Sequence, residues 1–159
     1  MLENAKTIVP DTSAVIEGAI SELIKDLDYP QIVVPEAVVC ELEHQANAKR
    51  PTGLKGLEEL QKLQKAEYDG KCSVSFRGKR PTNYDIRQAK NGEIDALIRD
   101  IAKSEFGTLV TNDKVQAETA KAQGIPVHYI KQKISNEELT IASLFDEETM
   151  SVHLKEDVV

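Results

Sequence analysis

Apolar residues recur at two spacings along this chain, and the two alternate. Five short runs rich in β-branched residues, at 8–9, 31–34, 72–76, 108–111 and 126–130, predict strands. Between them, apolar positions fall at helical intervals. Val15, Ile16, Ala19, Ile20, Leu23 and Ile24 follow a Thr12 or Ser13 cap as one amphipathic helix. Pro35 opens a second helix, with Val38, Val39, Leu42 and Ala46 as its apolar face. Residues 49–53, including Pro51 and Gly53, break the chain before a third helix. That helix carries Leu54, Leu57, Leu60 and Leu63 and ends near Asp69 and Gly70. Residues 92–106 give the strongest pattern, with Ile94, Leu97, Ile98 and Ile101 on one side, and 114–123 form a last helix closed by Gly124. The alternation predicts an α/β domain over residues 1–130, a mostly parallel sheet covered by helices on both faces. From 131 to 159 the pattern changes. Ile134, Leu139, Ile141, Leu144 and Phe145 can pack on the domain or on a partner, and the acid-rich end reads as an extension or linker toward a further domain.

Four acidic residues stand out against this apolar framework. Asp11 and Asp113 end strands, where ligands bind in open α/β sheets. Glu41 lies about two turns into the second helix and Asp95 in the first turn of the 92–106 helix, both among core positions. An ionised carboxylate near a core costs several kcal/mol unless something neutralises it. Each acid has an ordinary explanation taken singly. Asp11 and Asp113 can cap the following helices, Glu41 can pair with a basic residue, and Asp95 can favour a helix dipole. As a set they predict a crevice for divalent cations, Mg²⁺ or Mn²⁺, whose hard character suits carboxylate and water oxygens. Metal-activated water would then hydrolyse a phosphodiester. Ser13 and Thr111 are candidates to orient metal water or an Asp oxygen.

Lesser candidates follow from spacing. Glu17 and Glu118 lie about a turn beyond Ser13 and Asp113, whereas Glu43 and Glu93 fall on other helical faces and are expected in solvent. His44, His128 and His153 have no partner at ligand spacing.

Composition adds constraints. With 40% apolar and 30% charged residues, no Trp, and no long apolar run, the 159-residue chain reads as a globular cytoplasmic protein with no membrane span. Cys40 and Cys72 are expected as reduced thiols. The net charge of −7 hides a split. Residues 49–90 carry eleven Lys or Arg against five Asp or Glu, an excess of +6; the rest carries nine against twenty-two, or −13. Within the basic stretch, Arg77, Lys79 and Arg80, with Arg87 and Lys90 nearby, are the expected phosphate contacts. Lys49 and Arg50 are a weaker alternative, and Tyr84 is a candidate to stack on a base. An Asp11 phosphatase nucleophile is disfavoured because Ser13 replaces a second aspartate. A dinucleotide fold lacks its glycines at Asp11-Thr12-Ser13-Ala14.

Four segments carry a resemblance: Val9-Pro10-Asp11-Thr12-Ser13-Ala14-Val15, Val38-Val39-Cys40-Glu41-Leu42, Gly92-Glu93-Ile94-Asp95-Ala96-Leu97 and Leu109-Val110-Thr111-Asn112-Asp113. In order and spacing they resemble the motifs of PIN domains, over residues 6–130. The resemblance implies a three-layer α/β/α Rossmann-like fold and a metal-dependent nuclease acting mainly on RNA. It makes Asp11, Glu41, Asp95 and Asp113 the metal-binding catalytic acids, and Ser13 and Thr111 match the family's polar accessories. The tail is similar to the junction in archaeal PIN-domain ATPases, which continue into an ATPase, often with a KH-like module, and assemble as rings. That similarity implies a homo-oligomeric ring in a longer protein and RNA or DNA, single-stranded or structured, as partner. The chain itself has no GxxxxGK[ST] loop. A stand-alone toxin-type ribonuclease is the alternative within the family.

Overall fold

The computed structural model of the chain describes residues 6–82, 84–85 and 92–131. Five strands appear where the short apolar runs lie: β1 (Thr7–Pro10), β2 (Gln31–Pro35), β3 (Ser73–Arg77), β4 (Thr108–Thr111) and β5 (Val127–Tyr129). All pair in parallel, in the order β3-β2-β1-β4-β5. The helices among the described residues include α1 (Thr12–Ile16), α2 (Ala19–Leu23), α3 (Glu36–Asn47), α4 (Pro51–Tyr68), α5 (Glu93–Ser104) and α6 (Lys114–Ala122). The connections β1–β2 and β2–β3 run one way along the sheet, while β3–β4 and β4–β5 run the other. Right-handed crossovers therefore lay the two sets of helices on opposite faces, giving three layers.

A parallel sheet covered on both faces needs strands that are apolar throughout. Ile8, Val9 and Pro10 in β1 and Ile32 to Pro35 in β2 are buried without interruption. Leu42, Leu63, Ile98, Leu109 and Val110 complete a continuous core. The strand order also fixes where a ligand would go. β1 leads toward β2 and β4 toward β5, so the chain leaves their carboxyl ends in opposite directions and opens a crevice between them.

The helices depart from the sequence expectation in two places. The first amphipathic run is two short helices rather than one, divided at Gly18 (φ +71°) and followed by a 3-10 turn, Ile24–Asp26. The expected break at 49–53 is shorter. Pro51 takes the first position of α4, and Gly53 lies inside the helix. A Cβ on Gly53 would stand 2.2 Å from the Ala46 backbone nitrogen, and one on Gly56 would stand 2.3 Å from a Leu42 methyl. Both glycines serve close packing of α4 on α3, which a reading of glycine as a breaker misses. Pro35, expected to open a helix, ends β2 and caps α3.

Among the described residues, no helix is long and apolar enough to cross a membrane. Cys40 and Cys72 are free and buried, as expected for thiols. The expectations for Arg87, Lys90 and His153, and the extension past residue 131, lie outside the described residues.

Candidate metal centre at the β1–β4 crevice

Asp11 is the first residue past β1, and its N–H still reaches across to the Val110 carbonyl at 2.9 Å. Only 4% of it is exposed. Its carboxylate caps α1, Oδ1 accepting the Thr12 N–H at 2.7 Å. The other oxygen, Oδ2, accepts from the Ser13 and Thr111 hydroxyls at 3.0 and 2.7 Å. Those hydroxyls are themselves held. Ser13 Oγ accepts the Asn112 N–H at 3.2 Å and Thr111 Oγ1 the Asp113 N–H at 3.0 Å. Two backbone dipoles after β4 are thus relayed onto one carboxylate oxygen after β1. Even so, burial pushes the Asp11 carboxyl above its ordinary range. The three hydrogen bonds oppose that rise, and the Asp113 charge adds to it.

Glu41 sits on α3, half-buried. Its Oε2 accepts the Thr12 hydroxyl at 2.6 Å and its Oε1 the Gln45 amide at 3.4 Å. No Lys or Arg pairs with it among the described residues. Burial raises its carboxyl, the Thr12 bond opposes this, and the charge of Asp11 reinforces it. Asp95, in the first turn of α5, is pushed from its ordinary 3.8 up to about 6. Desolvation is the leading cause, followed by the charges of Asp11, Asp113 and Glu41; Arg99, one turn along α5, pulls the other way. Asp113 is exposed and caps α6, Oδ1 accepting the Gln116 N–H at 3.0 Å.

Two residues that sequence reasoning passed over organise this arrangement. Gln116 is buried, and its amide nitrogen donates to the Asp95 carbonyl at 3.2 Å while its oxygen accepts from Arg99 Nη1. It therefore ties α5 to α6 and sets Asp95 against Asp113. Thr12 links Asp11 to Glu41 through its N–H and its hydroxyl. A signal for Gln116 was present: an Asp helix cap followed three residues on by Gln is a capping-box spacing.

The donor set is entirely carboxylate and hydroxyl oxygen, which suits a hard divalent cation. Among the described residues, no three His, Cys, Asp or Glu side chains are gathered closely enough to ligate one ion directly. A cation that keeps much of its water shell and takes one or two carboxylates directly, as Mg²⁺ does, fits such a spread set.

Residues 8–122 match the model of the PIN domain family. The chain belongs to that family. It is similar to an uncharacterized KH and PIN-domain containing protein of Methanocaldococcus jannaschii, 48% identical over 95% of this chain and 24% of that protein. It also resembles a Holliday junction branch migration ATPase of Sulfolobus acidocaldarius, 31% identical over 97% of this chain and 28% of the ATPase. The chain thus spans about a quarter of the length of these relatives. A solved structure, a domain of a functionally unknown protein from M. jannaschii DSM 2661, superposes with a TM-score of 0.76 at 41% identity, covering 95% of this chain and all of that one.

Other sequence candidates lie away from the four acids of this PIN domain. Arg80 pairs with Glu43, whose side chain stays 39% exposed. Arg77 and Lys79 border a small hollow against Leu97 and Ile101 of α5. None of the three takes part in the hydrogen bonds of the acids; the cation that acts on Asp95 is Arg99. Glu118 is engaged by Lys121, which lowers its carboxyl. Glu93 is exposed, as expected, and so is Glu17. The His128 imidazole is held below its ordinary range by burial.

Proposed function

We propose that this PIN domain is a divalent-metal-dependent endonuclease, expected to act on RNA, that hydrolyses phosphodiesters in single-stranded or structured nucleic acid in the cytoplasm. One observation carries the reading: Asp11, Glu41, Asp95 and Asp113, from four separate segments, are tied together through Thr12, Thr111 and Gln116, and the charges of the other three push the Asp95 carboxyl up. An uncompensated cluster of this kind is disfavoured in an apolar setting and is relieved by a cation. Asp11, Glu41, Asp95 and Asp113 would hold Mg²⁺ or Mn²⁺, directly or through water. When bound, such an ion supplies an activated water and charge stabilisation at the phosphate.

The chain's own residues supply orientation. Ser13 and Thr111 fix the Asp11 carboxylate, Thr12 fixes Glu41, and Gln116 holds the Asp95 helix against the Asp113 cap. Arg77, Lys79 and Arg80 contact phosphates of the bound strand away from the acids, Arg80 by exchanging its Glu43 carboxylate for one of them. The test is cleavage of labelled RNA with Mn²⁺, comparing the parent with Asp11→Asn and Asp95→Asn. Each substitution should lower the rate by on the order of 10²-fold to 10³-fold, as loss of a preorganised charge-stabilising group does. Cleavage that persists in both variants rejects the assignment.

A second reading rests on the relatives' lengths. One is a branch migration ATPase of which this chain spans 28%. The domain then serves as a non-catalytic nucleic-acid-binding or assembly element in the ring of a larger ATPase. Self-association without metal, together with no cleavage under any divalent ion, would favour it.

A further inference from the structure

A hollow of about 800 Å³ among the described residues is not at the acids. It lies at the amino ends of β2 and β3, between the turn that follows α2 and the last turns of α4. β2 and β3 are five residues each, so roughly 16 Å of strand separates this end from the carboxyl ends. Lys25, Lys62, Lys65 and Lys71 line it, with Asp28 and Asp69 as the opposing charges. Lys25 is paired with Glu22 at 2.7 Å, and Lys62 stands 3.7 Å from the buried Glu59. Lys65 and Lys71 make no ion pair among the described residues. Three of the four lysines belong to the basic stretch 49–90, whose excess the Arg77–Arg80 region accounts for only in part.

Tyr29 stands at the rim of this hollow. It is 57% exposed and takes φ +45°, a left-handed conformation unusual for an aromatic residue. The conformation arises where the chain turns into β2, and it leaves the ring outside the core. A presented ring beside unpaired cations is the combination by which single strands are held, bases on the ring and phosphates on the cations. The lysines come from three segments: Lys25 from the turn after α2, Lys62 and Lys65 from α4, and Lys71 from the loop before β3. Point charges drawn from separate segments suit an extended chain of phosphates more than a single anion, which is better gripped by forked donors.

We propose that this lysine-lined hollow is a second nucleic-acid contact, holding the backbone of a single strand with Tyr29 as a stacking surface for a base. It rests on the nucleic-acid reading above for the identity of the polyanion, and not on the chemistry of the acids. The experiment is anisotropy of a labelled single-stranded oligonucleotide of about twelve residues in EDTA, where no metal-dependent cleavage occurs. Lys65→Glu combined with Lys71→Glu should weaken binding roughly tenfold and reduce the salt-dependence slope by about 1.4, two phosphate contacts at ~0.7 each. Tyr29→Gly, which suits the left-handed backbone, should weaken it about fivefold or more while Tyr29→Phe does not. The same charge reversal elsewhere, Lys103→Glu with Lys121→Glu, is the control. An effect no larger than the control overturns the proposal. So does a mononucleotide or inorganic phosphate that competes as well as the unlabelled oligonucleotide, since the hollow would then be a small-anion site. Loss of cleavage in Asp11→Asn with this binding intact separates the two sites, so either reading can fail alone.

Discussion

Glu59 and the crevice acids are all carboxylates set into apolar helical or strand-end surroundings, yet the protein treats them differently. Glu59, on α4, is only 1% exposed. It accepts the Ser21 N–H at 2.8 Å and the Ser21 hydroxyl at 3.0 Å, with the Lys62 ammonium 3.7 Å away. Its carboxylate lies beside Gly18, where a Cβ would come 3.6 Å from Oε2, and serves the first turn of α2. The charge is used locally, by donors that fold with it. Asp95 is less buried but receives no side-chain donor among the described residues, and three of the charges acting on it are negative. Burial therefore does not mark a functional carboxylate; burial without compensation does.

That contrast breaks first at Glu59. Glu59→Ala removes the acceptor from a buried N–H and leaves a void, and should lower stability by about 3 kcal/mol in chemical denaturation. Glu59→Gln keeps an acceptor for the Ser21 N–H and should cost about half as much. A loss under ~1 kcal/mol for the alanine variant would put Glu59 on the same footing as an ordinary surface acid. RNA cleavage per folded molecule should be unchanged in the glutamine variant.

The opposite sign is expected at Asp95. Its carboxyl is raised to about 6 in the fold, so the native state binds a proton more tightly than the unfolded chain does. The cost is absent below the ordinary 3.8 and grows as pH rises to and through about 6. Asp11 and Glu41, also raised, add in the same direction. Asp95→Asn should therefore stabilise the metal-free protein at pH 7, by roughly 1 kcal/mol once solvent screening of a half-exposed group is allowed for. The gain should shrink toward pH 4. Denaturation midpoints in EDTA across that range decide it, and a destabilised Asn variant at pH 7 would mean that the ionised carboxylate is structurally satisfied.

How far this contrast could be read in advance depended on the range of the interaction. The four acids, the strands behind them and the parallel sheet follow from local apolar periodicity, which is why the alternation of elements predicted the architecture. Gly53 inside an apparent break was misread because its role comes from a partner seven residues away, the Ala46 backbone, whereas Gly18, inside an apparently continuous apolar run, divides the helices through its own left-handed backbone (φ +71°). The role of Gly53 is a tertiary fact with no local signature. Glu59 itself was invisible for the same reason, being one of two adjacent glutamates in a charged helix. Gln116 differed, since its capping-box spacing from Asp113 was legible, but its reach to Asp95 and Arg99 was not.

The smallest effect sharpens the comparison at an intermediate case, Glu41, which has one good side-chain donor where Asp95 has none among the described residues. Thr12 is 5% exposed and donates to Glu41 Oε2 at 2.6 Å, so Thr12→Val preserves volume while removing that bond. The hydrogen bond holds the Glu41 carboxyl down against burial and the Asp11 charge. Without it, the folded-state carboxyl rises further above its ordinary value. The variant should lose about 1 kcal/mol at pH above the raised carboxyl range, where the bond is charge-assisted. As pH falls through the raised carboxyl range, Glu41 takes up a proton in both proteins and the charge-assisted part of the difference disappears. Thr12→Ser, which restores the hydroxyl, should return most of the stability above that range. A penalty for Thr12→Val that is independent of pH would show packing rather than the hydrogen bond at work, and would place Glu41 with the uncompensated acids.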